Sequence, residues 1–264
     1  MKRSFLCSIL YSVDWSKGGK APTAPAEQEW RNFHMDYNNY DRGYAEPAMT
    51  SADYMSRTYR WMACGLLVTF AAAFVTATTP LLYVVNSLYL LFTIAELALV
   101  FVLSSRVQNM SVGAARGVFL VYALLNGMVL SYYFIAFSVS TLVLAFLATS
   151  VYFGLMAAYG ATTHKDLSGW GPKLMMALVA LLITGFVGML FGMSFLTTVL
   201  YSAVGLVVFM LLTAYDTQKL SQMFSYYAYD GELAEKASIY GALTLYLDFI
   251  NIFLYVVRLL GLNS

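Results

Sequence analysis

From Arg57 onward the chain alternates between apolar stretches of about twenty residues and short polar gaps, a pattern absent before it. A helix that crosses a bilayer needs about 20 mainly apolar residues. Seven stretches meet that requirement: 59–78, 81–104, 113–136, 139–160, 173–193, 195–216 and 237–260. Their interiors are rich in Leu, Val, Phe, Ala and Met. Small residues recur at four-residue spacing, as in Gly154 and Ala158 or Gly188 and Gly192. In lipid such spacing lets helix backbones approach closely, although glycine is also simply common in membrane helices. The pattern predicts an all-α polytopic membrane protein whose seven transmembrane helices occupy residues 57–264.

Residues 1–56 read differently. They carry Gly18, Gly19, Pro22, Pro25 and Pro47 among polar residues and tyrosines, with no sustained period. A disordered or loosely ordered N-terminal tail is expected there. Lys2 and Arg3 followed by Ser4 to Val13 faintly resemble a signal peptide, but Ser8, Ser12 and Asp14 break its apolar core. Met35 offers an internal start.

Composition supports the membrane reading. The 264 residues are 60% hydrophobic and only 11% charged, with a mean hydropathy of +0.68. Soluble domains carry about a quarter charged residues. Too little polar surface exists here to cover a water-facing domain, whereas lipid accepts an apolar exterior. The net charge of +1 gives no reason to expect nucleic acid. Two cysteines, Cys7 and Cys64, are too few for a disulfide framework.

Charge placement tests the helix count. Seven spans put the tail and the connections after the second, fourth and sixth helices on one side. These segments hold fourteen of the fifteen Lys and Arg residues. The opposite connections, near Pro80, Phe137 and Ser194, hold none, and only Arg258 sits near that face. Cytoplasmic loops carry the excess of Lys and Arg. The N-terminus is therefore expected in the cytoplasm and the C-terminus on the other side.

Acidic residues within spans are costly and mark function. Three of the fourteen carboxylates fall there: Glu96, Asp216 and Asp248. Asp248 is the deepest, about 16 Å along the last stretch at 1.5 Å per residue. Asp216 ends the sixth stretch, and the two helices should be antiparallel neighbours. Tyr240, Thr244, Asp248, Asn251 and Tyr255 share one face of the last helix. Such a face must look into the bundle or onto water. Arg106 closes the second stretch at the depth of Asp216, where a guanidinium can grip a carboxylate in fork geometry or simply snorkel to the interface. Glu96 lies ten residues before it and either lines the same cavity or is satisfied structurally within the bundle. Two adjacent buried carboxylates titrate as a unit. Such a pair, held shut by Arg106, outlines a pH-gated pore, and when ionised it suits Ca²⁺ if carbonyls and water complete the shell.

The run Leu243-Thr244-Leu245-Tyr246-Leu247-Asp248-Phe249-Ile250-Asn251-Ile252-Phe253-Leu254-Tyr255, followed by Arg258-Leu259-Leu260-Gly261, closely resembles the C-terminal signature of the Bax inhibitor family, the transmembrane Bax inhibitor motif proteins. Tyr215-Asp216-Thr217, and Ala95-Glu96-Leu97 leading to Ser104-Ser105-Arg106, match further family motifs. The resemblance covers roughly 55–262. It implies six helices around a central seventh, a bacterial inner-membrane location, and a pH-sensitive calcium leak. Asp216 and Asp248 would be the proton-sensing pair and possible Ca²⁺ ligands, with Arg106 as their latch. No cofactor is expected beyond Ca²⁺ as permeant or bound ion. The family also contains modulators of a membrane-bound quality-control protease and suppressors of cell death. The tail and the long connection 217–236 depart from the shortest members, and that connection bears on how Asp216 meets Asp248.

Other classes fit less well. An intramembrane aspartyl protease also pairs aspartates on adjacent helices, but Tyr246-Leu247-Asp248 lacks the glycine-containing motif of that class. A retinal protein needs a lysine in the last helix, and there is none. A zinc protease needs clustered histidines, yet His34 and His164 both lie outside the spans. The chain is not expected to be an enzyme. A proton-coupled transporter and a non-conducting regulator of other membrane proteins are the remaining alternatives.

Overall fold

A computed structural model describes residues 49–261; the tail expected before them lies outside the described residues. Helix α1 spans Ser51–Thr78, and a short helix follows over Leu81–Ser87. Then come α2 (Tyr89–Arg106), a 3₁₀ turn (Val107–Asn109), α3 (Val112–Ala136) and α4 (Val139–Thr162). A second 3₁₀ turn (Ser168–Trp170) leads into α5 (Gly171–Phe191), α6 (Phe195–Tyr227) and α7 (Gly231–Gly261). Seven helices are long and apolar enough to cross a membrane. The protein is thus all-α and polytopic, with no strand among the described residues.

Local chemistry explains where the helices start. Thr50 and Asp53 form a capping box on α1. Ser111, Ser138 and Ser194 each accept a hydrogen bond from the backbone N–H three residues on. Asp230 does the same for Glu232 and Leu233 at the start of α7. Gly192, with φ +78°, ends α5 in a conformation that side chains resist.

Four sequence expectations are revised. Helix α1 begins six residues inside the segment read as tail, because the capping box nucleates it there. The stretch 81–104 is not one helix: Leu88 leaves helical geometry (φ −112°, ψ 21°) and separates the short helix from α2. The long connection 217–236 is mostly helix, and only Ala228–Asp230 joins α6 to α7. The small-residue pairs do not mark helix contacts: Gly154 and Ala158 point outward, and Gly192 terminates α5. Close approach occurs instead at Gly127 and Gly160. A side chain there would collide with the carbonyl oxygens of Thr69 and Ala214.

Helix α7 is the centre of the bundle. In its apolar window 61% of residues are buried, against 39% at most in the other spans. It packs against α1, α3, α4 and α6, while α2 leans on α3 and α5 on α6. The outer faces expose Leu67, Phe74, Phe101, Phe186 and Phe191 to the surroundings, as lipid permits and water would penalise. The arrangement agrees with a central last helix but is two-layered, four neighbours inside and two helices outside.

Candidate proton and ion site

The antiparallel pair α6 and α7 sets the register of the site. Gly241 meets Leu220, and Gly205 meets the ring of Tyr255. Extrapolating between these contacts puts Asp248 level with Thr213. Asp216 then lies about one turn, roughly 5 Å, toward the connection, level with Thr244. The two carboxyls interact electrostatically, and the Thr213 hydroxyl lies beside Asp248. Asp248 is 4% exposed, and its Oδ2 has no hydrogen-bond partner. Buried polar atoms without partners are rare and call for a reason.

The hydroxyls around the pair are already committed as donors. Thr213 donates to the Phe209 carbonyl (2.8 Å) and Thr244 to the Tyr240 carbonyl (3.1 Å). Their oxygen lone pairs stay free for a cation, a water or a carboxylic proton. Asn251 likewise donates to Leu247 (2.8 Å). Further along, the Tyr255 hydroxyl reaches that of Tyr201 at 3.4 Å, and Arg258 lies over both rings. Thr244, Asp248, Asn251 and Tyr255 therefore form a polar stripe on α7, Tyr255 meeting α6 at its far end. Among the described residues no cluster of three or more His, Cys, Asp or Glu exists. A Ca²⁺ here would rely on two carboxylates, hydroxyls and water.

Arg106 is not joined to the pair. It is exposed, and no ion pair between it and either aspartate occurs among the described residues. The cause is the two-layered packing: α2 is held mainly by α3, and it is the 3₁₀ turn after it that packs against α7. The cation acting on Asp216 is Lys219, one turn away on α6. An open hollow of about 290 Å³ lies between the end of α2 and the extended ends of α6 and α7. Ser104, Ser105 and Val107, which flank Arg106, line one wall, and Lys219, Met223 and Tyr240 line another.

Glu96 belongs to a different constellation. Its carboxylate accepts a hydrogen bond from the Asn126 amide of α3. Tyr246 of α7 donates to Asn126 Oδ1 (3.1 Å) and lies 2.6 Å from the Thr69 hydroxyl of α1. Thr69 closes the chain on the Ala123 carbonyl at 2.9 Å. Tyr246 and Asp248 are two residues apart, about 200° around α7. Glu96 and the aspartate pair thus flank the central helix on opposite faces and do not line one cavity. The pattern reading passed over Lys219, Thr213, Asn126 and Tyr246. An i,i+3 carboxylate–lysine pair flags Lys219, and a lone amide inside an apolar stretch flags Asn126.

The family model described as "Inhibitor of apoptosis-promoting Bax1" matches residues 51–264, every span. The chain belongs to the Bax inhibitor-1 family. Among its relatives is the inner membrane protein YbhL of Escherichia coli K12, 40% identical over 82% of this chain and 94% of that protein. A protein of Deinococcus radiodurans is 42% identical over 78% of this chain and 89% of its own. RP147 of Rickettsia prowazekii is 38% identical over 79% and 89% respectively. This Bax inhibitor-1 family member has seven helices able to cross a membrane, and its relative YbhL is an inner membrane protein.

Proposed function

We propose that this protein is a proton-regulated calcium leak path of a bacterial inner membrane, with Asp216 and Asp248 as its sensor. The observation that carries the reading is the unpartnered Oδ2 of Asp248. It interacts with a second carboxyl, that of Asp216, one turn of α6 from Lys219, which lines the hollow at the α2 end. Burying a full charge with no partner costs several kcal/mol, so the proton count of the pair decides which neighbours it must hold. With both carboxyls ionised, the pair draws Arg106 across the hollow alongside Lys219, and the path is shut. With a proton bound, that attraction falls and the end of α2 relaxes to the exposed position of Arg106. Ca²⁺ then passes along the α6–α7 stripe, carried by carboxylate and hydroxyl oxygens as permeant ion and not as a resident cofactor. The chain acts as a conduit and performs no covalent chemistry.

Calcium flux into proteoliposomes between pH 6 and 8 tests this. Flux is expected to rise as pH falls. Arg106→Ala should lift the pH 8 leak several-fold, toward the pH 6 level; an unchanged pH 8 leak would remove Arg106 from the gate. Flux no greater than in protein-free vesicles would sink the conduit. It would leave a non-conducting regulator of a membrane-bound quality-control protease or of other membrane proteins in its place.

The charge bias supports an orientation with the N-terminus and the hollow in the cytoplasm. A reporter enzyme active only outside the cytoplasm should therefore work when fused after Ser264 and fail when fused before Met1. The reverse result would invert the assignment.

A further inference from the structure

A second site lies away from the aspartate pair, where α1 and α3 meet the start of α7. Arg57, Arg60, Trp61, Cys64 and Glu235 line an open hollow of about 470 Å³. Arg116 of α3 reaches into the same corner, its guanidinium 5.3 Å from the Trp61 ring centre. Arg116 and Arg57 thus flank one carboxylate, and a third guanidinium, that of Arg60, lines the same hollow. Glu235 is engaged by Arg116 and stands 3.6 Å from Arg57, the latter too far for a hydrogen bond. Arg116 Nε is buried with no acceptor. Arg60 is exposed and in no ion pair among the described residues. The hollow keeps a surplus of positive charge and of unfilled donors, a fork geometry that matches phosphate oxygens.

The surroundings say what carries the phosphate. Arg60 stands where the apolar run of α1 begins, beside Trp61, a residue type that anchors at the headgroup level. Below it Ala63, Leu67, Ala71 and Phe74 are all exposed at three- and four-residue spacing. They form an uninterrupted apolar strip down the outer face of α1. A basic pocket at the head of such a strip fits one molecule with both a phosphate and an acyl chain. We propose that Arg57, Arg60 and Arg116 form a binding site for the phosphodiester headgroup of an anionic phospholipid, whose acyl chain lies along α1. The site does not depend on whether the protein conducts ions.

Native mass spectrometry of the full chain in detergent, titrated with phosphatidylglycerol, phosphatidylcholine or inorganic phosphate, tests the assignment. Phosphatidylglycerol is expected to be retained about tenfold more than phosphatidylcholine. Arg60→Gln, at an exposed position that leaves the fold intact, should reduce that retention several-fold. Lys173→Gln, which alters a lone lysine beside Trp170, should not. Equal retention of the two lipids, or equal effects of the two substitutions, would overturn the site. Displacement of phosphatidylglycerol by millimolar inorganic phosphate would show that the pocket takes a free anion and would overturn the lipid assignment.

Discussion

Asp248→Asn should abolish most of the pH dependence of calcium flux while leaving a measurable leak. A gate coupled to one proton changes its open-to-closed ratio by up to about tenfold per pH unit. The parent protein can therefore vary by up to about a hundredfold between pH 8 and pH 6. The asparagine keeps the shape of Asp248 and removes its proton exchange, so the variant should vary by less than about twofold over that range. Asp216→Asn should act in the same direction, and the double variant should add little, because groups that titrate as a unit fail as a unit. The sign follows from the neighbours: a pair that carries one negative charge fewer draws Arg106 and Lys219 less strongly, so the asparagine variants should leak at pH 8 as the parent does at pH 6. A variant that retains the full parental pH profile would remove Asp248 from the sensor.

The helix pattern was legible because lipid imposes it: each span must satisfy its own backbone and present an apolar face. Length and charge bias alone then locate seven helices and their common basic end. The break at Leu88 and the continuation of α6 to Tyr227 were not legible. Segments outside the apolar core are read as connections when they are polar, yet α6 and α7 continue past it as a packed pair, with Leu220 against Gly241. The pairing of Asp216 with Asp248 could be anticipated from antiparallel neighbours. The distance of Arg106 from them could not, since it depends on α2 lying in the outer layer. Periodicity records which face of a helix is polar, but not which helices stand between two such faces. For the same reason the pattern leaves open whether Glu96 shares a cavity with Asp248 or is satisfied by a neighbouring helix, and the Asn126 hydrogen bond on the far face of α7 decides for the second.

That separation gives the network around Asn126 its own measurable consequence. Asn126 is 7% exposed and joins three helices: it donates to Glu96 of α2 and accepts from Tyr246 of α7 while standing on α3. Asn126→Leu fits the volume but leaves the Glu96 carboxyl without its amide donor in a low-dielectric interior and takes one of two side-chain partners from the Tyr246 hydroxyl, which keeps Thr69. Leaving a buried polar group unsatisfied costs about 1–3 kcal/mol, and more for a charged one, so the bundle should lose about 3 kcal/mol. The thermal midpoint of the purified protein should fall by on the order of ten degrees. Because α2 is held mainly by α3, the loss should concentrate there and show as faster amide exchange in Tyr89–Arg106 than in α6 or α7. Glu96→Leu introduced into the same variant should recover about 1 kcal/mol or more by removing the stranded charge, a coupling that a double-mutant cycle reads directly. Additive losses would mean that the Glu96–Asn126 hydrogen bond contributes nothing to holding α2 in place. The outer layer, and Arg106 with it, would then owe its position to apolar packing alone.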